Sequence, residues 1–226
     1  EKNIIAGVPM HFLTDNQTGK VEMQPTEASP FTVFKNPIYG HKYRIAIDPI
    51  TAHSKDTDYF TMQVMDMSNH EQAAIFRGRG MPDEDYADWA VSIAQTYNKA
   101  DICPEINVAN GFIVAVNARR YYHWYYADKK SRNDRIPGLR TSVSTKESYV
   151  SVLKGLLERE AIKIHDEDTL NELSNFVKIY RGENKAVQMR ARGSNHDDAV
   201  AALWIYAGSL SMQEIDRGKR TGFAIL

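Results

Sequence analysis

The feature that most constrains the fold of this chain is a change in hydrophobic period near residue 80. Before it, Tyr43–Ile47, Tyr59–Met67 and Gln72–Arg77 have the length and patterning of strands, with the turn Ser68-Asn69-His70 between the last two. After it, apolar side chains recur at helical spacing, first over Glu84–Asn98. Antiparallel strands followed by alternating helices and strands predict an α/β fold, in which a mixed sheet has helices on both faces.

The later part of the chain continues this alternation. Strands are predicted over Ile102–Ile106, Ile162–Ile164 and Ala186–Met189, the last at an edge of the sheet. Helices are predicted over about 110–121, 144–159, 166–177 and 197–211. In the second of these helices, Ser144 is the expected N-cap and Glu147 the expected N3 residue of a capping box.

The 226 residues are enough for one large core, and the pattern divides them into three parts. Residues 1–33 have little periodicity and several turn formers, which predicts a lead-in segment with one hairpin around Gly19. The organised domain is expected over 34–213, followed by a tail over 214–226. The single cysteine, Cys103, lies in a predicted buried strand and is expected to pack there, which suits a reducing cytoplasm.

The formal net charge of −1 excludes a protein that coats nucleic acid through its overall charge, but the basic residues are unevenly spread. Between 119 and 146, eight basic residues stand against two acidic ones, and the aromatic cluster Tyr121–Tyr126 lies among them. Such a stretch is either a solvated loop or a rim that binds phosphates. The candidate phosphate-binding residues in it are Arg119, Arg120, Lys129, Lys130, Arg132, Arg135 and Arg140.

Carboxylates stand at the ends of three separate predicted elements. Asp48 ends an apolar strand, Glu105 lies near the end of another, and Asp197-Asp198 opens the last helix. Each has an ordinary explanation, as a turn former, a residue on a solvated strand face, or a helix cap. A glutamate in an otherwise apolar strand is nevertheless costly to bury unless it is paired or binds metal. Together the three positions predict an all-oxygen site for Mg²⁺ or Mn²⁺.

Two further residues are accessory candidates. A hairpin would return Asp58 near the sheet end that carries Asp48, and His196 can orient a metal-binding carboxylate or carry a proton. Adjacent helix positions point about 100° apart, so one of Asp197 and Asp198 is expected to bind metal while the other caps or orients. The sequence contains no Gly-x-Ser-x-Gly elbow, no phosphate-binding P-loop and no Cys/His cluster that would form a different centre.

The order of these motifs resembles the nuclease domain of the large terminase subunit of tailed bacteriophages. The resemblance rests on Phe34–Pro49, on Glu105-Ile106-Asn107 with Gly111, and on His196-Asp197-Asp198-Ala199-Val200, and it covers about 34–210. It implies a ribonuclease H-like fold, two divalent metal ions and the cutting of concatemeric viral DNA around packaging. Carried over residue by residue, it makes Asp48, Glu105 and Asp198 the metal-binding carboxylates, with Asp197 a rival for the third place.

The same resemblance implies a setting and a mechanism. The substrate would be double-stranded DNA held by its backbone, in the host cell cytoplasm, with a portal and a small terminase subunit as partners. An N-terminal packaging ATPase belongs to the full subunit of that family, and its absence from these residues is expected of an excised nuclease domain. Asp48, on the expected central strand, is the best candidate to bridge two Mg²⁺ or Mn²⁺ ions in phosphodiester hydrolysis.

Three alternatives remain open at this stage. The first is another ribonuclease H-like nuclease, such as a transposase or a junction resolvase. The second is an ATP-binding half of the sugar-kinase or actin type, which would need a Gly-rich phosphate loop that residues 50–55 do not supply. The third is a non-catalytic DNA-binding module with decayed sites, against which the intact carboxylates at all three positions argue.

Overall fold

A computed structural model describes residues 4–14, 21–50, 58–127, 136–181, 186–191 and 197–210. The strands within these residues are β1 (Val8–Thr14), β2 (Val21–Pro25), β3 (Phe31–Val33), β4 (Tyr43–Asp48), β5 (Phe60–Asp66), β6 (Glu71–Gly78), β7 (Asp101–Pro104), β8 (Phe176–Arg181) and β9 (Ala186–Ala191). The helices are α1 (Asp83–Thr96), α2 (Asn110–Ala118), α3 (Val143–Glu158), α4 (Glu167–Asn175) and α5 (Asp198–Ser209).

Seven of these strands form one mixed sheet in the order β2-β1-β3-β6-β5-β4-β7. Strand β5 runs antiparallel to both β4 and β6, whereas β7 runs parallel to β4 with Ile47 opposite Pro104. The connection between β4 and β7 therefore carries the chain back across the sheet through α1, as a parallel pair requires. This topology confirms the predicted mixed sheet, but β4 lies next to the edge strand β7 and is not the central strand that was expected to carry Asp48, because β1, β2 and β3 extend the sheet on the other side. It also brings the carboxyl ends of β4 and β7 to the same end of the sheet.

Strand β4 is buried on both faces because helices cover the sheet from either side. Ile45 and Ile47 belong to an apolar cluster with Tyr86 of α1 and Phe112 of α2. Ala46, which lies between them in sequence, belongs to a second cluster with residues of α3 and α5. Successive side chains of a strand point to opposite faces, so a strand covered on both faces needs a continuous apolar run. The run ends at Asp48, where β4 reaches the edge of the sheet.

Helix α5 is buried along nearly its whole length. All of its residues from Ala199 to Ala207 are buried, and it packs against α3, α4, β4 and β5. A helix that is apolar on every side is stable only inside a core. At its start, Gln63 of β5 donates from Nε2 to the Ala199 carbonyl at 3.4 Å and to Thr169 Oγ1 of α4 at 3.2 Å. The first residues of α5 are therefore anchored where the helix meets the polar edge of the sheet.

The segment predicted as a lead-in contributes three strands to the same sheet. Strands β1 and β2 pair antiparallel, which agrees with a hairpin around Gly19, a residue outside the described ranges. Strand β3 then pairs with β6, with Thr32 opposite Ile75. The main sheet is thus wider than the pattern of residues 34–213 predicts, because the first three strands extend it beyond β6.

Helix α3 begins two residues earlier than predicted. Its N-cap is Ser142 rather than Ser144: the Thr145 N–H donates to Ser142 Oγ at 3.3 Å, and the Ser142 N–H donates to Thr145 Oγ1 at 2.7 Å. Thr145 takes the N3 position that Glu or Gln has in the usual capping-box sequence, so that sequence pattern did not indicate Ser142. The hydroxyl of Thr141, directly before this cap, donates to Glu105 and so holds the start of the helix beside that carboxylate.

Two of the predicted strands also differ from those in the structure. Around Lys163 there is a single bridge to β6, in which the Lys163 N–H donates to His70 O at 3.0 Å and the Gln72 N–H donates to Lys163 O at 2.9 Å. Strand β9 pairs with β8 in a separate two-stranded sheet rather than at an edge of the main one. Helix α4 ends at Asn175, earlier than the predicted 177. The run that follows is rich in β-branched and aromatic residues, which favour a strand.

Cys103 is free and buried in β7, as predicted, and burial raises the pKa of its thiol to about 12. A thiol with such a pKa stays protonated at neutral pH, which agrees with a packing role. None of the described helices has the length and apolar composition that crossing a membrane requires.

Candidate active site

Two of the predicted carboxylates meet at the edge where β4 and β7 end. Asp48 is the last residue of β4, and Glu105 directly follows the last residue of β7. Because Ile47 lies opposite Pro104 in the parallel ladder, the next residues on the two strands are also neighbours. The Glu105 N–H donates to the Ile47 carbonyl at 3.0 Å, which continues the ladder past the end of β7.

The third carboxylate position reaches this edge from α5. The Tyr59 N–H, directly before β5, donates to Asp198 Oδ2 at 3.0 Å. Strand β5 lies beside β4, with Thr61 opposite Asp48. The backbone contact from Tyr59 thus holds Asp198, the first residue of α5, at the sheet edge that carries Asp48.

The electrostatics of Asp48 show that the carboxylates share one environment. Burial raises the pKa of Asp48 well above its usual range, and the negative charges of Glu105, Asp198 and, more weakly, Asp197 raise it further. The charge of Lys146 acts in the opposite direction. A buried carboxylate surrounded by others is stable in its ionised form only when positive charge is supplied. Together with the ladder between β4 and β7 and the hydrogen bond from Tyr59, these charges place positions 48, 105 and 198 at one end of the sheet.

Glu105 is oriented by two polar neighbours. Its Oε1 accepts a hydrogen bond from the Thr141 hydroxyl and another, at 3.0 Å, from Asn107 Nδ2. Asn107 Nδ2 also donates to the Thr141 carbonyl at 2.8 Å, which closes a small network between the end of β7 and the start of α3. Burial raises the pKa of Glu105, while Lys146 and the hydrogen bond from Asn107 lower it, with a net upward shift. In the sequence, Asn107 stood out only as part of the motif Glu105-Ile106-Asn107, and Thr141 did not stand out.

The start of α5 is capped by a residue that the sequence did not indicate. Glu172 of α4 accepts hydrogen bonds at Oε2 from the Ala199 N–H at 2.9 Å and from the Val200 N–H at 3.2 Å. Asp197 occupies the N-cap position but makes no capping hydrogen bond with its side chain. The capping role that was expected of one of the two aspartates is therefore not seen at Asp197, while an orienting role stays a prediction. The cap comes from another helix, so neither Asp197 nor Asp198 is needed for it.

Replacing Glu172 by alanine should destabilise the protein by about 1–2 kcal/mol, because two buried N–H groups at the start of α5 lose their acceptor. Glu172→Gln, which keeps an acceptor oxygen, should lose clearly less. Urea unfolding followed by circular dichroism measures both. Glu158→Ala, an exposed glutamate on α3 with one surface pair to Lys154, is the matched control and should change stability by less than about 0.5 kcal/mol. Equal stabilities for the alanine and glutamine variants of Glu172 would contradict the capping role.

Lys146 is the basic group whose charge reaches both central carboxylates. It lies on α3, one turn after the Ser142 cap, and its charge lowers the pKa of Asp48 and of Glu105. Its Nζ lies 5.2 Å from the ring centroid of Trp204 on α5. A cation within about 6 Å of an aromatic face is attracted by the ring. Trp204 therefore helps to keep this ammonium group near the carboxylates.

The predicted basic residues do not all lie at the site. Arg119, at the end of α2, is paired with Asp88, with its Nη2 2.7 Å from Asp88 Oδ2, and Nη2 also donates to the Glu84 carbonyl at 2.8 Å. Arg120 is exposed in the left-handed turn that follows. Arg140 does lie beside the carboxylates, since the N–H of the preceding Leu139 donates to the Pro104 carbonyl at 2.9 Å. The predicted residues that lie outside the described ranges are Lys129, Lys130, Arg132, Arg135 and His196.

Asp58 lies at the same edge, directly before Tyr59, and is half-buried. Within the described ranges, no set of three or more His, Cys, Asp or Glu side chains is close enough to form a ready-made ligand shell. The carboxylates repel one another in the absence of a cation, as the raised pKa of Asp48 shows. Their chemistry fits hard divalent cations, because the donors are all oxygen and their charge is offset mainly by Lys146.

No protein-family model matches the sequence. The fold is similar to the large terminase nuclease from thermophilic phage G20c, with a TM-score of 0.65 and 24% identity over 80% of this chain and 88% of that one. The magnesium-bound structure of that nuclease gives a TM-score of 0.66 at 22% identity. The large terminase nuclease domain of Thermus phage P74-26 gives 0.64 at 23% identity, over 80% of this chain and 85% of that one. The chain therefore has the ribonuclease H-like fold of the nuclease domains of phage large terminases.

Proposed function

We propose that this chain is a divalent-metal-dependent endonuclease that hydrolyses double-stranded DNA during viral genome packaging. The observation that carries the proposal is the meeting of Asp48, Glu105 and Asp198 at one end of the sheet, where Asp48 is half-buried and its pKa is raised by burial and by the charges of the other two. Negative charge clustered in this way is unfavourable for the stability of the fold. A site that binds divalent cations and acts on phosphate groups requires it. The similarity in fold to phage large terminase nucleases supports the same conclusion.

Asp48, Glu105 and Asp198, with Asp197 beside them, would hold the metal ions. Mg²⁺ or Mn²⁺, two ions in the proposed site, would supply an activated water and stabilisation of the leaving oxygen. Structures of the G20c nuclease carry bound magnesium, cobalt or zinc, which supports a divalent requirement here. The chain supplies the placement: β4, which lies between β5 and the edge strand β7, fixes Asp48, and the Tyr59 N–H fixes Asp198.

Three neighbouring groups complete the proposed centre. Thr141 and Asn107 orient one oxygen of Glu105, so that its other oxygen can face a cation. Lys146 lowers the repulsion among the carboxylates and can contact a phosphate once cations are bound. Arg140, exposed beside Glu105, can bind the DNA backbone without reading its sequence. In the proposed setting the chain acts in the host cytoplasm with a packaging ATPase, a portal and a small terminase subunit.

Cleavage of supercoiled plasmid tests the proposal. The chain should nick and linearise plasmid with Mg²⁺ or Mn²⁺, and EDTA should stop the reaction. Glu105→Gln, which keeps the size of the side chain, should lower the rate by about a hundredfold or more, since it removes a charge from the metal site. The exposed Glu158→Gln is the matched control and should cut like the wild type. Cutting that survives EDTA, or a Glu105→Gln variant with wild-type rate, would exclude the proposed mechanism.

The same assay separates the other nucleases of this fold. A packaging nuclease should cut linear and supercoiled duplexes at comparable rates, because its contacts are to the backbone. A junction resolvase would prefer a four-way junction, and a transposase would require its own ends. A strong preference for the junction would replace the packaging assignment with the resolvase one.

A further inference from the structure

Arg79 lies at the end of the sheet where Asp48, Glu105 and Asp198 meet, on the side of Asp198. It follows the last residue of β6, and Gly78 lies opposite Phe60 at the start of β5. Because β6 runs antiparallel to β5 and β5 antiparallel to β4, the end of β6, the start of β5 and the end of β4 share one edge. Neighbouring strands are about 4.8 Å apart, which puts the backbone after β6 on the order of 10 Å from β4.

The guanidinium of Arg79 is held in place by an aromatic ring. Its central carbon lies 4.0 Å from the ring centroid of Tyr59. The backbone N–H of the same Tyr59 donates to Asp198 Oδ2 at 3.0 Å. One residue thus connects an exposed arginine to a carboxylate of the candidate active site. Stacking fixes the plane of a guanidinium and leaves the N–H groups along its edge able to bind a planar or tetrahedral anion.

The neighbouring arginines have acidic partners, and Arg79 differs from them. Arg77, two residues earlier in β6, is largely buried and donates to Asp166 at 2.6 Å. Arg119 is paired with Asp88. Within the described residues no carboxylate lies within ion-pairing distance of Arg79, and its side chain is exposed. An ordered arginine that no described carboxylate neutralises, next to a carboxylate site, fits a phosphate of the substrate.

We propose that Arg79, supported by Tyr59, binds a backbone phosphate that flanks the phosphate facing Asp48. The inference rests on the proposed function and deepens it by naming how the substrate strand is held. Arg140 lies beside Glu105, on the opposite side of Asp48. The strand would therefore cross the site between Arg79 on the Asp198 side and Arg140 on the Glu105 side. Contacts of this kind fix the position of the DNA and are indifferent to its sequence.

Binding of a short fluorescein-labelled DNA duplex, measured by anisotropy in EDTA between about 50 and 200 mM salt, tests this directly. Arg79→Gln should weaken DNA binding about fivefold at the lowest salt concentration. It should also reduce the slope of log affinity against log salt concentration by about one, since one phosphate contact is lost. Tyr59→Leu, which removes the ring but keeps the backbone N–H, should reproduce part of the loss. The matched control is Arg159→Gln, at the far end of the 16-residue α3, roughly 24 Å along the helix from Ser142.

The outcomes separate this inference from the proposed function. If Arg79→Gln and Arg159→Gln bind with equal affinity and equal salt slope, the phosphate contact at Arg79 is wrong, whether or not the wild type cuts plasmid. If the wild type does not cut plasmid but binding still depends on Arg79, the nuclease proposal fails and the phosphate contact stands. In a cutting enzyme, Arg79→Gln should raise KM more than it lowers kcat, because the residue binds a flanking phosphate rather than the reacting one.

Discussion

Replacing Asp48 by asparagine is expected to abolish metal-dependent DNA cleavage while making the metal-free protein more stable. The loss of cleavage should reach about a thousandfold or more, equivalent to several kcal/mol of transition-state stabilisation. Asp48 is half-buried with the charges of Glu105, Asp198 and Asp197 around it, so its charge is the one that a bound cation would need most. The measurement is plasmid cleavage with Mn²⁺ by a variant whose circular dichroism spectrum matches the wild type.

The gain in stability follows from the direction of the pKa shift. Burial and the neighbouring carboxylates raise the pKa of Asp48 in the folded state. The folded state then binds this proton more tightly than the unfolded state, so ionisation of Asp48 destabilises the fold as pH rises from about 4 through the folded-state pKa. An asparagine side chain cannot ionise, and Asp48→Asn should therefore be more stable than the wild type by about 1 kcal/mol or more at neutral pH in EDTA.

The difference between the two proteins should shrink as pH falls towards about 4 and vanish below it, where Asp48 is protonated in the folded and the unfolded state. The control is Asp85→Asn, an exposed carboxylate in the first turn of α1. It should leave cleavage unchanged and lower stability slightly, because it removes a favourable charge from a helix N-terminus. An Asp48→Asn variant that is less stable than the wild type across this pH range would mean that the carboxylate has a structural partner instead.

Gly138→Ala should destabilise the protein by about 3 kcal/mol and disturb the site from a distance. Gly138 has φ +100, and a Cβ there would lie 2.2 Å from the Pro104 carbonyl oxygen and 2.7 Å from Ile106 Cγ2. Its N–H donates to the Tyr125 carbonyl at 2.8 Å, and the next N–H, from Leu139, donates to Pro104 at 2.9 Å. The clash is with the backbone directly before Glu105, so relief requires the end of β7 to move.

Gly40→Ala is the control that separates backbone strain from a steric clash. Gly40 has φ +82, but no atom lies within 4 Å of the position that an alanine methyl would occupy. Alanine there meets only the conformational cost of about 1 kcal/mol. Chemical unfolding of both variants measures the difference, and plasmid cleavage should fall in Gly138→Ala and stay at the wild-type rate in Gly40→Ala. Equal losses of stability would show that the contact with Pro104 is relieved without moving the strand.

The sequence predicted those parts of the site that lie at the ends of strongly patterned elements. Asp48 interrupts an apolar strand, and Asp197-Asp198 stands before an apolar helix, so a local departure from the pattern marks each of them. Glu172 and Arg79 carry no such mark. Each acts on a residue far from it in the chain, Glu172 on Ala199 and Arg79 on Tyr59, and only the packing of the elements brings them together.

The wider sheet was missed for a related reason. Strand β3 has three residues, and β1 and β2 are largely exposed or half-buried, so their sequences lack the sustained alternation that predicts a strand. Their place is decided by the non-local pairing of β3 with β6. The N-cap of α3 was misplaced because the capping-box pattern asks for Glu or Gln at N3: Ser144 has Glu147 there, whereas Ser142 has Thr145.

The uniform burial of α5 has a consequence for how the carboxylates are aimed. A helix with apolar side chains all round has no polar face turned to solvent, so no amphipathic pattern sets its rotation about its own axis. The polar contacts at its first turn supply that rotational setting: Gln63 on the Ala199 carbonyl, Glu172 on the Ala199 N–H, and the Tyr59 N–H on Asp198. The hydrogen bonds that help to set the rotation of the first turn therefore also set the direction of Asp198.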